Sequence, residues 1–224
     1  MAADVATSLS MTDSPTSAKR PRGRPAQPEA EVRARLLQHA MQLLLEHGYE
    51  ATTMEAVAAR AGVAKKTVYR HAANREALVG LAVRAWSDGI AVPMQRDAGD
   101  RSELSPLLRA ILQSLCDQVL SEPAVKLFRL LTTDFPGKPE LLGSYQANGI
   151  ERGRALLADW LSRQQRRGLL RDGDPAMLAT LILAMAVAEP LRQMALGVTA
   201  PLPEGSVAAH LDACMVLLQG RLVP

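Results

Sequence analysis

The sequence predicts an all-α protein, and three observations carry that prediction. Apolar residues fill 48% of the 224 positions but aromatics only 3%, so the hydrophobic content rests on Leu, Ala, Val and Met, which suit helices better than strands. Apolar positions recur at spacings of three and four, and no stretch alternates convincingly enough for a strand. Cap residues, first-turn prolines and glycines punctuate these stretches at helical lengths. A chain this long holds material for one sizeable core, or for a small core and a larger one.

Residues 1–28 are rich in Ser, Thr, Ala and Pro, carry the run Lys19-Arg20-Pro21-Arg22-Gly23-Arg24-Pro25, and cannot bury a core; they read as a disordered basic arm. Asp4 and Asp13 interrupt the first twenty residues, which contain no apolar run long enough for a signal peptide. The first helix begins near Glu29, places Val32, Leu36, Ala40, Leu43 and Leu44 on one face, and stops at Gly48. Thr52-Thr53-Met54-Glu55 reads as a capping box in which the Thr52 hydroxyl accepts from the Glu55 amide, starting a short helix that ends at Gly62. A third short segment spans Ala64 to His71, and Asn74 caps a longer helix from Arg75 to about Ile90. Residues 29–74 therefore form a three-helix unit, and 75–224 a connector followed by a larger helical domain.

Pro93 to Glu103 reads as a polar linker, and Ser105-Pro106 as the cap and first-turn proline of a helix with its stripe at Leu108, Ile111, Leu112, Leu115 and Val119. Ser121-Glu122-Pro123 opens another helix, which runs to a break at Phe135-Pro136-Gly137. Pro139 to Arg167 is helical despite Gly143, Gly149 and Gly153, and Gly168 terminates it. Asp174-Pro175 opens the most apolar helix, Ala176 to about Leu196. The last helix follows Pro201 and Pro203 and aligns Val207, Leu211, Cys214 and Leu218. The longest uncharged apolar stretch, Pro175 to Ala188, is 14 residues, short of the roughly 20 that a spanning helix needs. Cys116 and Cys214 both sit in apolar helical patterns, as small core residues of a reduced protein would. These features predict a soluble, cytoplasmic protein with no membrane partner.

Charge is unevenly placed. From Lys19 to Arg75 there are 11 Lys/Arg against 5 Asp/Glu, a balance of +6 in a chain whose total is +3, so the remainder carries −3. The first third is suited to a polyanion. Within it, Thr52 to Arg75 reads as a helix, a tight turn through Gly62, and a second helix exposing Lys65, Lys66, Thr67, Tyr69, Arg70 and His71. A helix of this size enters the major groove of double-stranded DNA. Val57, Ala58, Ala61, Val63 and Val68 are placed to pack the short helices together, with Ala58 and Ala59 permitting close approach.

Gly48-Tyr49, Thr52-Thr53, Val57-Ala58, Ala61-Gly62-Val63, Thr67-Val68-Tyr69 and Asn74-Arg75-Glu76-Ala77-Leu78 together resemble the signature of the TetR family, across roughly residues 32 to 80. The resemblance implies a transcriptional regulator, by default a repressor, with an N-terminal helix-turn-helix DNA-binding domain and a larger helical ligand-binding and dimerisation domain. The second half is similar only in length and helicity. Two positions depart from the pattern: Ala64 stands where a Ser or Thr commonly caps the recognition helix, at a cost of about 1 kcal/mol, and Ala72 where an aromatic often follows the histidine.

Chemistry and the resemblance together assign roles. Lys65 and Lys66 suit phosphate or guanine, Thr67 a phosphate or a thymine methyl, and Tyr69 a phosphate; Arg70 suits bidentate reading of guanine, and His71, Thr53 and Arg75 positioning on the backbone. Arg22-Gly23-Arg24 has the core of an AT-hook-like arm for a narrow minor groove, and equally the composition of a solubilising tail. A cavity in the second half has Phe128, Leu131, Trp160, Met177, Met185 and Met194 as candidate lining, although residues of these types at helical spacing also build ordinary cores. Glu189 and Arg192 are spaced to pair with each other. The last two helices are the expected homodimer interface, matching a palindromic operator. His39, His47, His71 and His210 show no metal-ligand spacing, and the sequence contains no nucleophile elbow or phosphate-cradling loop, so neither an enzyme nor a cofactor is expected. The remaining rival is an architectural DNA-binding protein dominated by its arm.

Overall fold

A computed structural model of the chain describes residues 28–133 and 139–222. Its helices are α1 (Glu29–Ala51), α2 (Met54–Ala61), α3 (Lys65–His71), α4 (Arg75–Asp88), α5 (Arg101–Val119), α6 (Glu122–Thr133), α7 (Pro139–Tyr145), α8 (Arg152–Arg166), α9 (Pro175–Leu183), α10 (Glu189–Ala195) and α11 (Ala208–Leu222). A π-helical segment, Gln146–Glu151, joins α7 to α8, and another, Ala184–Ala188, joins α9 to α10. Among the described residues extended pairing is limited to one isolated bridge, Ser121 to Leu202.

Local chemistry fixes most boundaries. Gly48 interrupts α1 with φ 76° and ψ −179°, a backbone region essentially confined to glycine. The cap of α2 falls one residue later than the capping-box reading placed it. Thr53 accepts from the Ala56 amide at 3.1 Å, while Thr52 is fully buried and donates its hydroxyl to the Gly48 carbonyl at 2.8 Å. Asn74 and Asp174 cap α4 and α9 as expected. Helix α5 starts earlier than the sequence suggested. Asp100 accepts from the amides of Ser102 and Glu103, a stronger nucleation than Ser105 offers, and this leaves Pro106 inside the helix.

Two hydrophobic cores result. The first joins Leu36, Ala40 and Leu44 of α1 to Val57 and Ala58 of α2, Val68 of α3, and Leu78, Val79 and Val83 of α4. Leu127 of α6 and Leu141 of α7 complete it. The second joins Leu108, Ile111 and Leu112 of α5 to Leu157 and Trp160 of α8, Ile182 of α9, and Leu211 and Leu218 of α11. Cys116 and Cys214 are buried. The stretch read as a linker is tethered: Met94 and Ala98 are buried, the Trp160 indole donates to the Arg96 carbonyl at 2.9 Å, and Arg163 and Gln164 both donate to Asp97.

Pro175–Ala195 is long and apolar enough by composition to cross a membrane, with a mean hydropathy of 1.4. One of its faces nevertheless lies in the second core through Ala179, Ile182, Ala186 and Met194, and its C-terminal part carries the Glu189–Arg192 pair at 2.7 Å. The opposite face leaves Met177 and Leu181 exposed, and α11 likewise exposes Val216 and Leu217.

Candidate nucleic-acid interface and apolar cavity

Helix α2, the turn and α3 form the expected corner. Gly62 adopts φ +66° with nothing within 4 Å of where a Cβ would stand, so it is the left-handed backbone, and not lack of space, that requires glycine. The Gly62 amide bonds the Ala59 carbonyl and the Val63 amide the Ala58 carbonyl, which closes α2 and turns the chain into α3. Val68 is fully buried and anchors α3 from beneath, while Ala59, expected to serve close packing, is exposed. Ala64 occupies the N-cap of α3 with no side-chain hydrogen bond.

On the outer face of α3, Lys66 is exposed and makes no ion pair among the described residues, and Tyr69 is 46% exposed. Lys65 pairs with Glu55 of α2 and stands 5.7 Å from the Tyr69 ring centroid. Its hydrogen bond to Glu55 raises the Lys65 pKa and lowers that of Glu55. Arg70 lies 3.6 Å from Glu29, an exposed contact easily exchanged for a phosphate or a base. Thr53 and Thr67 are half-buried at the edge of this face.

Two residues expected to position the backbone face other partners. The Arg75 guanidinium stacks 3.9 Å from the Tyr49 ring centroid and donates to the Tyr49 and Glu50 carbonyls and the Glu50 carboxylate, tying α4 to the Gly48 break. The Tyr49 hydroxyl donates to Glu76 at 2.7 Å. His71 is half-buried, and its Nε2 is buried without a hydrogen-bond partner. Arg22 and Arg24 lie outside the described residues.

A second feature is a cavity of about 340 Å³ lined by α4 to α6 and by the two helical stretches that contain the π-helical segments. Its wall includes Val83, Trp86 and Ser87 of α4, Phe128 of α6, Tyr145 of α7, Gly149 and Ile150 of the first π segment, and Ala184 and Val187 of the second. Both π segments therefore face the same space; such segments frequently accompany functional sites. Of the residues proposed from sequence, Phe128 is part of the wall. Trp160 is not, because it is 0% exposed in the second core with its indole committed to Arg96. Met177 is 56% exposed on the outer face of α9, Met194 is buried in the second core, and Met185 packs against that core without reaching the cavity. The Leu131 side chain lies outside the described residues. Trp86, Tyr145 and Ser87 were missed. The available signal was Gly149 and Gly153 within a helical stretch, small residues that leave room where α4 passes.

Comparison with known proteins agrees with this arrangement. Residues 36–82 match the family model for bacterial regulatory proteins of the tetR family, and residues 106–218 that for the AefR-like transcriptional repressor C-terminal domain. An HTH-type transcriptional regulator of Mycobacterium bovis is 29% identical over 159 residues, covering 70% of this chain and 79% of the relative. A TetR-family regulator structure from Mesorhizobium loti is similar with a TM-score of 0.71 at 25% identity, covering 89% of this chain and 100% of that one. The flavonoid-responsive regulator FrrA is similar with a TM-score of 0.63 at 25% identity, covering 87% and 98%.

Proposed function

Because the chain belongs to the TetR family of transcriptional regulators, we propose that it is a cytoplasmic homodimeric repressor that α3 holds on a palindromic operator until a small apolar molecule fills the cavity. The observation that carries this reading is a shared helix. Leu78 and Val79 of α4 are part of the core beneath α3, and Val83, Trp86 and Ser87 of the same helix line the cavity. An occupant that favours a different position of α4 changes the separation of the two recognition helices, and the half-sites no longer match. The AefR-like repressor match of the second half supports repression, and the similarity to a flavonoid-responsive regulator supports a small-molecule occupant.

Lys65, Lys66, Thr67, Tyr69 and Arg70 are the groups assigned to DNA, with Thr53 and His71 at the margin and Arg22 and Arg24 in the adjacent minor groove. The exposed apolar faces of α9 and α11 are assigned to the second subunit. The test is binding of the purified protein to the DNA flanking its own coding region at increasing salt. Protection of a short palindrome with half-sites about 10 base pairs apart is expected, and uniform coating of any duplex refutes the reading. Deleting residues 1–27 should weaken binding and flatten the salt dependence if the arm contacts DNA.

A further inference from the structure

The cavity wall is polar at few points. Among the described residues Arg154 is its one charged side chain, and Glu151 neutralises it through hydrogen bonds of 3.0 and 2.9 Å. The Ser87 hydroxyl donates to the Val83 carbonyl at 3.0 Å, and that of Thr180 to the Ala176 carbonyl at 2.9 Å. Tyr145 differs: among the described residues its hydroxyl has no hydrogen-bond partner, and burial pushes its pKa up to about 12, so it stays a neutral donor. Tyr145 is half-buried in this apolar wall, which leaves its hydroxyl available to a molecule that brings an acceptor. Trp86 and Phe128 offer aromatic surface in the same wall.

We propose that Tyr145 sets the specificity of this cavity, donating its hydroxyl proton to a carbonyl oxygen on an otherwise apolar, uncharged aromatic molecule. Among the described residues the wall carries no unbalanced charge, which works against an anion, whose desolvation they would not offset. The inference rests on the proposed small-molecule role of the cavity. It also gives that role a route to the DNA-binding half, since Tyr145 packs against the first core and the neighbouring Gly149 lies against Val83 of α4.

The test is calorimetric titration with aromatic ketones of increasing size, each paired with its deoxygenated analogue: acetophenone with ethylbenzene, benzophenone with diphenylmethane, chalcone with 1,3-diphenylpropene. The best-fitting ketone should bind about tenfold more tightly than its hydrocarbon. Tyr145→Phe should erase that preference while leaving the hydrocarbon affinity unchanged, a pattern that mere loss of structure would not give. 4-Benzoylbenzoate should bind more weakly than benzophenone. Equal binding within every pair, a ketone preference that survives in Tyr145→Phe, or tighter binding of the anion overturns the assignment. Binding by none of the probes overturns it together with the cavity's role as a binding site. If the ketone preference follows Tyr145 but operator affinity does not change, the assignment stands and the proposed release mechanism fails.

Discussion

Gly80 of α4 lies against Ser144 of α7, and replacing it tests how tightly the two halves are joined. A Cβ built on Gly80 would stand 2.3 Å from the Ser144 hydroxyl oxygen, where real Cβ contacts essentially never fall below 3.0 Å, so α4 or Ser144 must shift. Two effects oppose each other in Gly80→Ala. Alanine in a helix interior gains about 1 kcal/mol over glycine, whereas overpacking costs about 1–3 kcal/mol. The single variant should therefore range from neutral to about 2 kcal/mol less stable. Adding Ser144→Ala removes the obstructing oxygen, leaving Asn148 Nδ2 at 3.3 Å and the residue 144 Cβ at 3.7 Å as the nearest neighbours. The steric cost then largely disappears and the helical gain remains, so the double variant should exceed the parent in stability. The coupling across the cycle should be about 1–3 kcal/mol, read by thermal melts of all four proteins at one concentration, with each kcal/mol moving Tm by about 2–4 °C. Coupling below about 0.5 kcal/mol would mean that Ser144 turns aside freely and that α4 is not wedged against α7.

Lys66→Ala should weaken binding about equally on all duplexes and reduce the slope of log affinity against log salt by about 1, measured by fluorescence anisotropy; a change confined to one sequence would reassign Lys66 to base reading. Leu181→Glu places a charge on the exposed apolar face of α9 and should shift the protein to monomer in analytical ultracentrifugation, with loss of palindrome binding; an unchanged sedimentation coefficient would move the interface elsewhere. Glu189 is held down to about 2, chiefly by its hydrogen bond to Arg192, against an ordinary value of 4.5. A depressed carboxyl stabilises the fold above its ordinary value and loses that contribution as pH falls from there toward about 2. In Arg192→Ala the Glu189 titration seen by NMR should move back toward 4.5, and an unmoved titration would show that Arg192 is not the cause.

Much of what depends on local chemistry was legible in the sequence. Asn74 and Asp174 cap the helices they precede, Gly48 and Gly62 break the chain where expected, and Val207, Leu211, Cys214 and Leu218 are buried along one face. Adjacent alternatives were harder, as with Thr52 and Thr53: either hydroxyl can cap, and the choice depends on which of them faces the core. Asp100 was overlooked because Ser105-Pro106 imitates a helix start. The cavity lining was the least legible, since a helical apolar position is identical in sequence whether packing fills the space before it or leaves it open. That is why Trp160 was drawn to the cavity and Trp86 was not. The Arg75 stack was illegible for a related reason: a basic residue beside a recognition helix suits phosphate, and only the fold brings the Tyr49 ring beneath it.

Leu127 and Leu141 close the first core from helices that belong to the second half, and each has a neighbour on its own helix, Phe128 and Tyr145, in the cavity wall. The DNA-gripping end is thus not a detachable module, and a fragment cut after α4 would leave a greasy seat uncovered. Val83 draws the two surfaces closer still: it belongs to the first core and to the cavity wall at once, so a substitution there is felt on both sides.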